Sequence, residues 1–190
     1  MNFKVDVEVS NHHVHLTKED YDKLFDTPYT KIKDLSQTGE FVSDKFVNVK
    51  TPNGEITRLR VLLPFRNYTQ VELSKSDSYL LHINPPICKS GDLNNASNIT
   101  IFSDKGEING NFAIIQEAHI HMNENDLLKY KVNNDQEVMV HLKSENREGL
   151  IKAHIKSSVN GVMKLHIDFD EANAFCQKND MKADVIICGK

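Results

Sequence analysis

Two histidine pairs in matching contexts constrain this chain more than any other feature of its sequence. The first pair is His13-Val14-His15 and the second is His119-Ile120-His121. After each pair come an apolar residue, a residue of the N-cap type and, three positions later, an acidic residue. This order is typical of a helix start. The same unit, a strand followed by a short helix, therefore occurs twice in the sequence. We predict two structural halves with the same arrangement of elements.

The spacing of the histidines indicates metal binding. Residues i and i+2 of an extended strand lie on one face, so both imidazoles of a pair can bind the same cation. One pair alone would be weak evidence, because nine histidines in 190 residues produce close pairs by chance. A strand histidine is also commonly a hydrogen-bonded surface residue. The repetition of the pair in the same context favours the metal-site interpretation.

Composition limits the class of protein. With 39% hydrophobic residues, the 190-residue chain can form the core of one domain or two small ones. The net charge of -4 and the lack of a basic run predict no nucleic-acid partner. No stretch approaches a membrane span and no signal peptide is evident, so we expect a cytoplasmic protein without membrane contact. The three cysteines are scattered without a CxxC, and any zinc would be bound through nitrogen and oxygen.

Alternating and hairpin patterns predict a mainly β chain of the α+β type. Lys4 to Val9 alternates as a strand, and Pro52-Asn53-Gly54 is typical of a hairpin turn. Short helices are predicted over 17–25, 76–81 and 123–130 and from Asp170 onward. No linker rich in proline, serine or glycine separates the halves. We therefore predict two small antiparallel β-barrels capped by short helices, with the histidine motifs at their junction.

Each histidine pair needs a third ligand to form a zinc site with an open position. The strand around Glu72 in the first half takes the place that the strand around His166 takes in the second. A lone glutamate or histidine on a strand is usually an ordinary surface or core residue, but equivalent positions after equivalent pairs favour ligands. The predicted metal ligands are His13, His15, Glu72, His119, His121 and His166. His82, His141 and His154 lack such a context and are predicted to be ordinary histidines.

Arg66 is the predicted anion-binding residue. It precedes Glu72 by six positions, too far along one strand for a direct pair, but a bend at Asn67-Tyr68 would bring it over the metal. The planar guanidinium group suits phosphate or carboxylate. Without the neighbouring motif, an ordinary surface arginine would be the preferred interpretation.

Taken together, these motifs resemble the phosphotransacylase family typified by the propanediol-utilisation phosphate propanoyltransferase of bacterial microcompartments. The matching segments are Ser10 to Leu16, Asp34 to Gln37, Thr69 to Glu72, Ser90 to Leu93, His119 to Met122, and His166 to Asn173. The resemblance implies two short β-barrels, with the N-terminal strand swapped into the C-terminal barrel. The halves would then be 13–117, and 1–12 with 118–190. It also implies a dinuclear zinc site formed by the six ligands above, with Arg66 binding phosphate.

The implied activity is phosphate acyl transfer, in which a propanoyl or acetyl group moves reversibly between coenzyme A and inorganic phosphate. Two zinc ions would be the cofactor, and coenzyme A a substrate. Two alternatives remain open. One is a dinuclear metal-dependent hydrolase of acyl phosphates or thioesters, since paired metals also activate water. The other is a non-catalytic zinc-binding protein. The sequence also leaves a homo-oligomer open.

Two departures from the family pattern bear on substrate preference. The family usually has arginine before each histidine pair, where this chain has His12 and Ala118. If either arginine steers an anionic substrate, affinity or acyl preference differs here. We also see no N-terminal extension of the kind that targets many members to a microcompartment shell. We therefore expect use in the cytoplasm, with acetyl-CoA as the simpler substrate.

Overall fold

The computed structural model describes residues 2–187, which form β-strands joined by short helices. Chain contacts divide them into two units: one contains the chain up to residue 11 and from residue 117 on, the other residues 12–116. The strands are β1 (Asn2–Ser10), β2 (His13–His15), β3 (Lys31–Asp34), β4 (Phe41–Thr51), β5 (Gly54–Leu63), β6 (Gln70–Glu72), β7 (Ile87–Cys88), β8 (Ser97–Phe102), β9 (Glu107–Gln116), β10 (His119–Met122), β11 (Glu137–Lys143), β12 (Glu148–Ser157), β13 (Lys164–Asp168) and β14 (Lys182–Ile186). The helices are α1 (Lys18–Leu24), α2 (Lys75–Leu80), α3 (Glu124–Tyr130) and α4 (Phe169–Ala174).

The unit of residues 2–11 and 117–187 is a closed barrel in the order β1-β13-β10-β12-β11-β14. Strand β1 thus belongs with the C-terminal strands, pairing with β13 and β14, and the predicted strand swap is confirmed. Alternate residues of these strands fill the barrel. Val7, Ile120, Ile155 and Leu165 are all fully buried in its core. Residues between these positions therefore point to the outer face, where the histidines lie.

The other unit, residues 12–116, is also a barrel. Its strands pair in the closed ring β4-β5-β2-β6-β9-β8, while β3 and β7 add to β4 and β9. Its core includes Val14, Leu59, Val61 and Val71. The predicted turn between β4 and β5 is confirmed, and its Gly54 has a packing reason. A Cβ at Gly54 would overlap the backbone carbonyl of Leu80.

The two histidine strands have the same neighbours in their respective barrels. Strand β2 is parallel to β5 and antiparallel to β6, whereas β10 is parallel to β12 and antiparallel to β13. In the antiparallel pairs, His13 stands opposite Glu72 and His119 opposite His166. Each barrel is mainly antiparallel but also contains parallel pairs. The repeat seen in the sequence is therefore a repeat of strand pairing and register.

Each short helix begins at a side-chain cap. Thr17 caps α1 and Asn123 caps α3, close to the predicted starts. The last helix begins one residue earlier than predicted, at Phe169, because Asp168 is its cap. The Glu171 carboxylate accepts the Asp168 backbone N–H at 3.0 Å, and the Asp168 side chain accepts the Glu171 N–H at 2.8 Å. None of the helices within residues 2–187 is long and apolar enough to cross a membrane.

Candidate metal and anion sites

The first candidate metal site lies in the unit of residues 12–116. The structure brings His13, His15 and Glu72 together, with one potential ligand atom from each within 4.8 Å of the others. His13 Nε2 is 3.2 Å from Glu72 Oε2, and His15 Nε2 is 3.7 Å from Glu72 Oε1. All three side chains are buried. Their proximity follows from the pairing of β2 with β6, which places the three residues on one face.

The Glu72 carboxyl is held in its ionised form. Burial alone would raise its pKa, but the neighbouring His13, His15 and Arg66 outweigh that effect and hold the pKa well below its usual range. An ionised carboxylate beside two imidazoles is a donor set that binds divalent cations such as zinc. Ser90 Oγ, which donates to Glu72 Oε1 at 3.3 Å, also accepts from the guanidinium group of Arg66 at 2.9 Å, so Arg66 lies close to this donor set.

The second candidate metal site lies in the other unit and consists of His119, His121 and His166, again within 4.8 Å of one another. The Nε2 atoms of His119 and His121 are 3.1 Å apart. His119 Nδ1 is 2.9 Å from the backbone carbonyl oxygen of Glu117 and donates to it in the matching tautomer. That contact leaves Nε2 of His119 as the ring nitrogen that could bind a metal ion.

The imidazoles of His119 and His121 are neutral in the folded chain. Burial, together with the electrostatic influence of Lys156 and His166, lowers the pKa of His119 well below its usual range. Burial and the same two neighbours lower the pKa of His121 to about 2. Metal ligation requires the neutral imidazole. Within the described residues, Nδ1 of His121 and Nε2 of His166 are buried and have no hydrogen-bond partner.

Both donor sets fit a small divalent cation such as zinc. Zinc bonds of about 2.0–2.1 Å in a tetrahedron place neighbouring donor atoms about 3.3 Å apart. The measured separations of 3.1, 3.2 and 3.7 Å lie around that value. Among the described residues each set offers three donors, which leaves one tetrahedral position for a substrate atom.

Arg66 lies at the start of the bend that precedes β6. Its Nη1 donates to Ser90 Oγ at 2.9 Å and to the Tyr68 hydroxyl at 3.3 Å. Its Nη2 is 3.2 Å from Glu40 Oε1. The half-buried guanidinium group is therefore held in a defined orientation by three side chains. One of them, the Glu40 carboxylate, occupies an edge of the group that would otherwise be open to a substrate anion.

Several residues around these sites were missed by the sequence analysis. Gln70 and Ser90 both hydrogen-bond Glu72 Oε1, at 2.6 and 3.3 Å. His154, predicted to be ordinary, is buried, and its ring stacks on that of His119 with centroids 5.5 Å apart. Glu8 Oε2 lies 3.5 Å from His166 Nε2. Strand register explains both neighbours, since His154 pairs with His119 and Glu8 with His166, but a sequence without known pairing carries no such signal.

The two positions that depart from the family pattern have different surroundings. His12 Nδ1 lies 3.2 Å from Asp77 Oδ1, and Asp77 also takes part in the capping box of α2. Burial raises the pKa of Asp77, but His12 and the Ser74 backbone outweigh it, so that pKa is lowered. Ala118 is buried in the core of its barrel. Neither position therefore presents an arginine to an anionic substrate.

Comparisons with known proteins agree on one family. The model of the phosphate propanoyltransferase family matches residues 6–178. A phosphate propanoyltransferase of Rhodopseudomonas palustris is 36% identical over 192 residues, which cover 99% of this chain and 84% of that protein. One from Priestia megaterium is 42% identical over 173 residues, covering 90% of this chain and 80% of the relative. One from Clostridioides difficile is 38% identical, with 90% and 83% covered.

Proposed function

This chain belongs to the phosphate propanoyltransferase family and is an acyltransferase enzyme, and from that premise we propose that it transfers a short acyl group reversibly between coenzyme A and inorganic phosphate. The acyl group would be propanoyl or acetyl. The structural observation that supports the proposal is the position of Arg66. Ser90 Oγ accepts from its guanidinium group at 2.9 Å and donates to Glu72 Oε1 at 3.3 Å. The proposed phosphate-binding cation is therefore linked through one hydroxyl group to the proposed first metal site.

Zinc is the proposed cofactor, with one ion on each donor set. The nitrogen and oxygen donors, their separations and the neutral imidazoles of His119 and His121 support it. Zinc bound to His13, His15 and Glu72 would stabilise the coenzyme A sulfur as a thiolate. That the two ions act as one dinuclear centre is part of the proposal, and it rests on the family resemblance alone.

In the proposed reaction a phosphate oxygen attacks the thioester carbonyl carbon. A C–O bond forms, the C–S bond breaks, and coenzyme A leaves as its thiolate, so no acyl-enzyme is needed. Arg66 would orient the phosphate through its two N–H edges and offset negative charge on the tetrahedral intermediate. For this it must exchange its contact with Glu40 for one with phosphate. Ser90, which accepts from Arg66, would keep the guanidinium plane in place during that exchange.

The two rival functions predict different results in an activity assay. A metal-dependent hydrolase would release free acid, whereas the transferase conserves the activated acyl group as acyl phosphate, which hydroxylamine traps as a hydroxamate. A non-catalytic zinc protein would have closed sites with four ligands and would release no thiol. The three donors in each set, within the described part of the chain, favour a site with an open position over that alternative.

The test is a thiol-release assay with acetyl-, propanoyl- and butanoyl-CoA, with and without phosphate, on the zinc-loaded protein. We expect thiol release that requires phosphate and hydroxamate that matches it. Arg66→Ala should lower kcat/KM for phosphate by about 100-fold or more, the usual cost of removing one such donor. The matched control is Arg147→Ala, because the exposed guanidinium group of Arg147 donates to the backbone carbonyl of Ala174 in the other unit and should be dispensable.

Two outcomes would contradict the proposal. Thiol release that is unaffected by phosphate and yields free acid would identify a hydrolase. Near-normal turnover of Arg66→Ala at saturating phosphate would remove Arg66 from the reaction even if the transferase activity itself is found. Acyl preference is read from the same data, as the ratio of kcat/KM among the three thioesters.

A further inference from the structure

Gln70 is an uncharged amide at the centre of the polar network in the unit of residues 12–116. It is fully buried at the start of β6, on the same face as Glu72 two positions later. Burying an amide is unfavourable unless its donors and acceptor are satisfied. A fully buried glutamine on a three-residue strand therefore needs a set of partners, and the structure supplies one for each of its groups.

Each polar atom of the Gln70 amide makes a short hydrogen bond. Nε2 donates to Glu72 Oε1 at 2.6 Å and to Ser90 Oγ at 2.9 Å. Oε1 accepts the backbone N–H of Gly91 at 2.7 Å. This last contact also settles which amide atom is oxygen, since a backbone N–H can only donate. The amide plane is thus fixed from three directions.

The bond to Glu72 Oε1 determines how that carboxylate is presented. With Oε1 held by Gln70 and Ser90, Oε2 faces Nε2 of His13 at 3.2 Å. Hydrogen bonds of this kind orient metal-binding carboxylates and typically change metal affinity about 10- to 100-fold. Gln70 is thus placed to set the geometry of the first donor set without contacting the metal itself.

The other two bonds of Gln70 go to the turn at Ser90 and Gly91, which also contacts Arg66. Gly91 has a φ of 93°, a conformation that favours glycine, and a Cβ there would approach the Tyr68 hydroxyl to 3.2 Å. The turn therefore lies close against the bend that carries Arg66. Ser90 Oγ accepts from both Gln70 Nε2 and Arg66 Nη1, each at 2.9 Å. The Gln70 amide thus connects the Glu72 carboxylate of the first donor set to Ser90. Ser90 in turn orients Arg66.

We propose that Gln70 is a positioning residue that aligns the Glu72 carboxylate for the metal and, through Ser90 and Gly91, aligns Arg66 for phosphate. The inference rests on the proposed function, because it assumes zinc on the first donor set and phosphate at Arg66. It goes further by coupling the two sites. Loss of the amide weakens zinc binding at the first set and phosphate binding together, while the second set, in the other barrel, is unaffected.

The experiment uses the full chain with Gln70→Met, which keeps the length of the side chain and removes its hydrogen bonds. Zinc affinities are measured by competition with a chromophoric chelator, and a Glu72→Gln variant identifies which affinity belongs to the first set. KM and kcat for phosphate are measured at saturating zinc. We expect a loss in first-set zinc affinity of about 10- to 100-fold. The second-set affinity should be unchanged, and KM for phosphate should rise by a larger factor than kcat falls.

Ser43→Ala is the matched control, because Ser43 is another fully buried polar residue of this unit. Its hydroxyl donates to the Val61 carbonyl, and it touches neither donor set. It should reduce thermal stability without changing either zinc affinity. Should Gln70→Met fail to fold, Gln70→Asn serves in its place, since it keeps a buried amide but cannot span both Glu72 and Gly91. Its losses should follow the same pattern.

The possible failures are distinguishable. Wild-type protein that binds no zinc at the first set would overturn the proposed function, and the role of Gln70 with it. Wild-type protein that binds zinc there while the Gln70 variants match it in zinc affinity and KM would overturn the inference about Gln70 alone. Equal losses at both donor sets would assign Gln70 a general structural role and would equally overturn the inference.

Discussion

Protonation of His121 should destabilise the metal-free protein as the pH falls. Burial and the nearby charges of His166 and Lys156 lower the pKa of His121 to about 2 in the folded chain. In the unfolded chain an imidazole has a pKa of about 6.5. Because the folded pKa is the lower one, the unfolded state takes up the proton first. The stability contributed by the neutral imidazole is therefore complete above about pH 6.5 and is lost as the pH falls toward 2.

The size of the effect follows from these two pKa values. Between about pH 7 and about pH 5.5, His121 should lower the free energy of unfolding by about 1 kcal/mol. His119 has a pKa shifted in the same direction and for the same first cause, burial, so it should add to the slope of the wild-type protein. Replacing His121 by glutamine removes one of these titrations. We expect the variant to lose about 1 kcal/mol of the pH dependence over this interval.

The assay is urea unfolding, followed by circular dichroism, of chelator-treated wild-type and His121→Gln proteins at the two pH values. Ile120→Val is the matched control, because it shortens a fully buried side chain of the same strand without altering any titrating group. It should lower stability equally at both pH values. If His121→Gln and the wild type show the same pH dependence, the imidazole is not held neutral in the folded barrel, and the explanation by burial is wrong.

Three further predictions concern single side chains. Glu72→Gln should reduce bound zinc from about two ions per chain to about one, because a carboxylate is lost from the first donor set; elemental analysis that still finds both ions would remove Glu72 as a ligand. Gly54→Ala should destabilise the protein by about 2 kcal/mol, because the new Cβ overlaps the Leu80 carbonyl; the exposed neighbour Asn53→Ala is its control, and equal melting temperatures would contradict the overlap. Asn123→Ala should cost about 1 kcal/mol in urea unfolding through loss of the cap of α3, and an unchanged midpoint would show that the cap contributes little.

Much of the local structure was predictable because it depends on near neighbours in the chain. The helix starts after the histidine pairs follow from the chemistry of Thr17 and Asn123, whose side chains accept backbone N–H groups within the same turn. The turn between β4 and β5 was also predictable, because the turn-forming residues Pro52, Asn53 and Gly54 are adjacent in the chain. The last helix was placed too late, because the acidic run at Asp168 to Glu171 offers more than one residue as the cap.

The parallel strand pairs were not predictable from alternation. A period of two shows which side chains share a face but not the direction of the neighbouring strand. The same limit applies to His154 and Glu8, which reach the second donor set only through the register of β12 with β10 and of β1 with β13. The assignment of metal ions to these sets stays a prediction, as does the division into halves at 13–117, and 1–12 with 118–190.

By itself, the sequence determined the duplicated histidine strands, their helix caps and the hydrophobic alternation that makes each half a sheet, because all of these depend on residues a few positions apart. Tertiary structure alone decided which strands pair, in which direction and in what register. It thereby placed Gln70 between Glu72 and Ser90, although Ser90 lies 20 positions after Gln70 in the chain. Side chains so far apart meet only when the barrel closes, and a buried amide there is stable only because closure supplies all its hydrogen-bond partners.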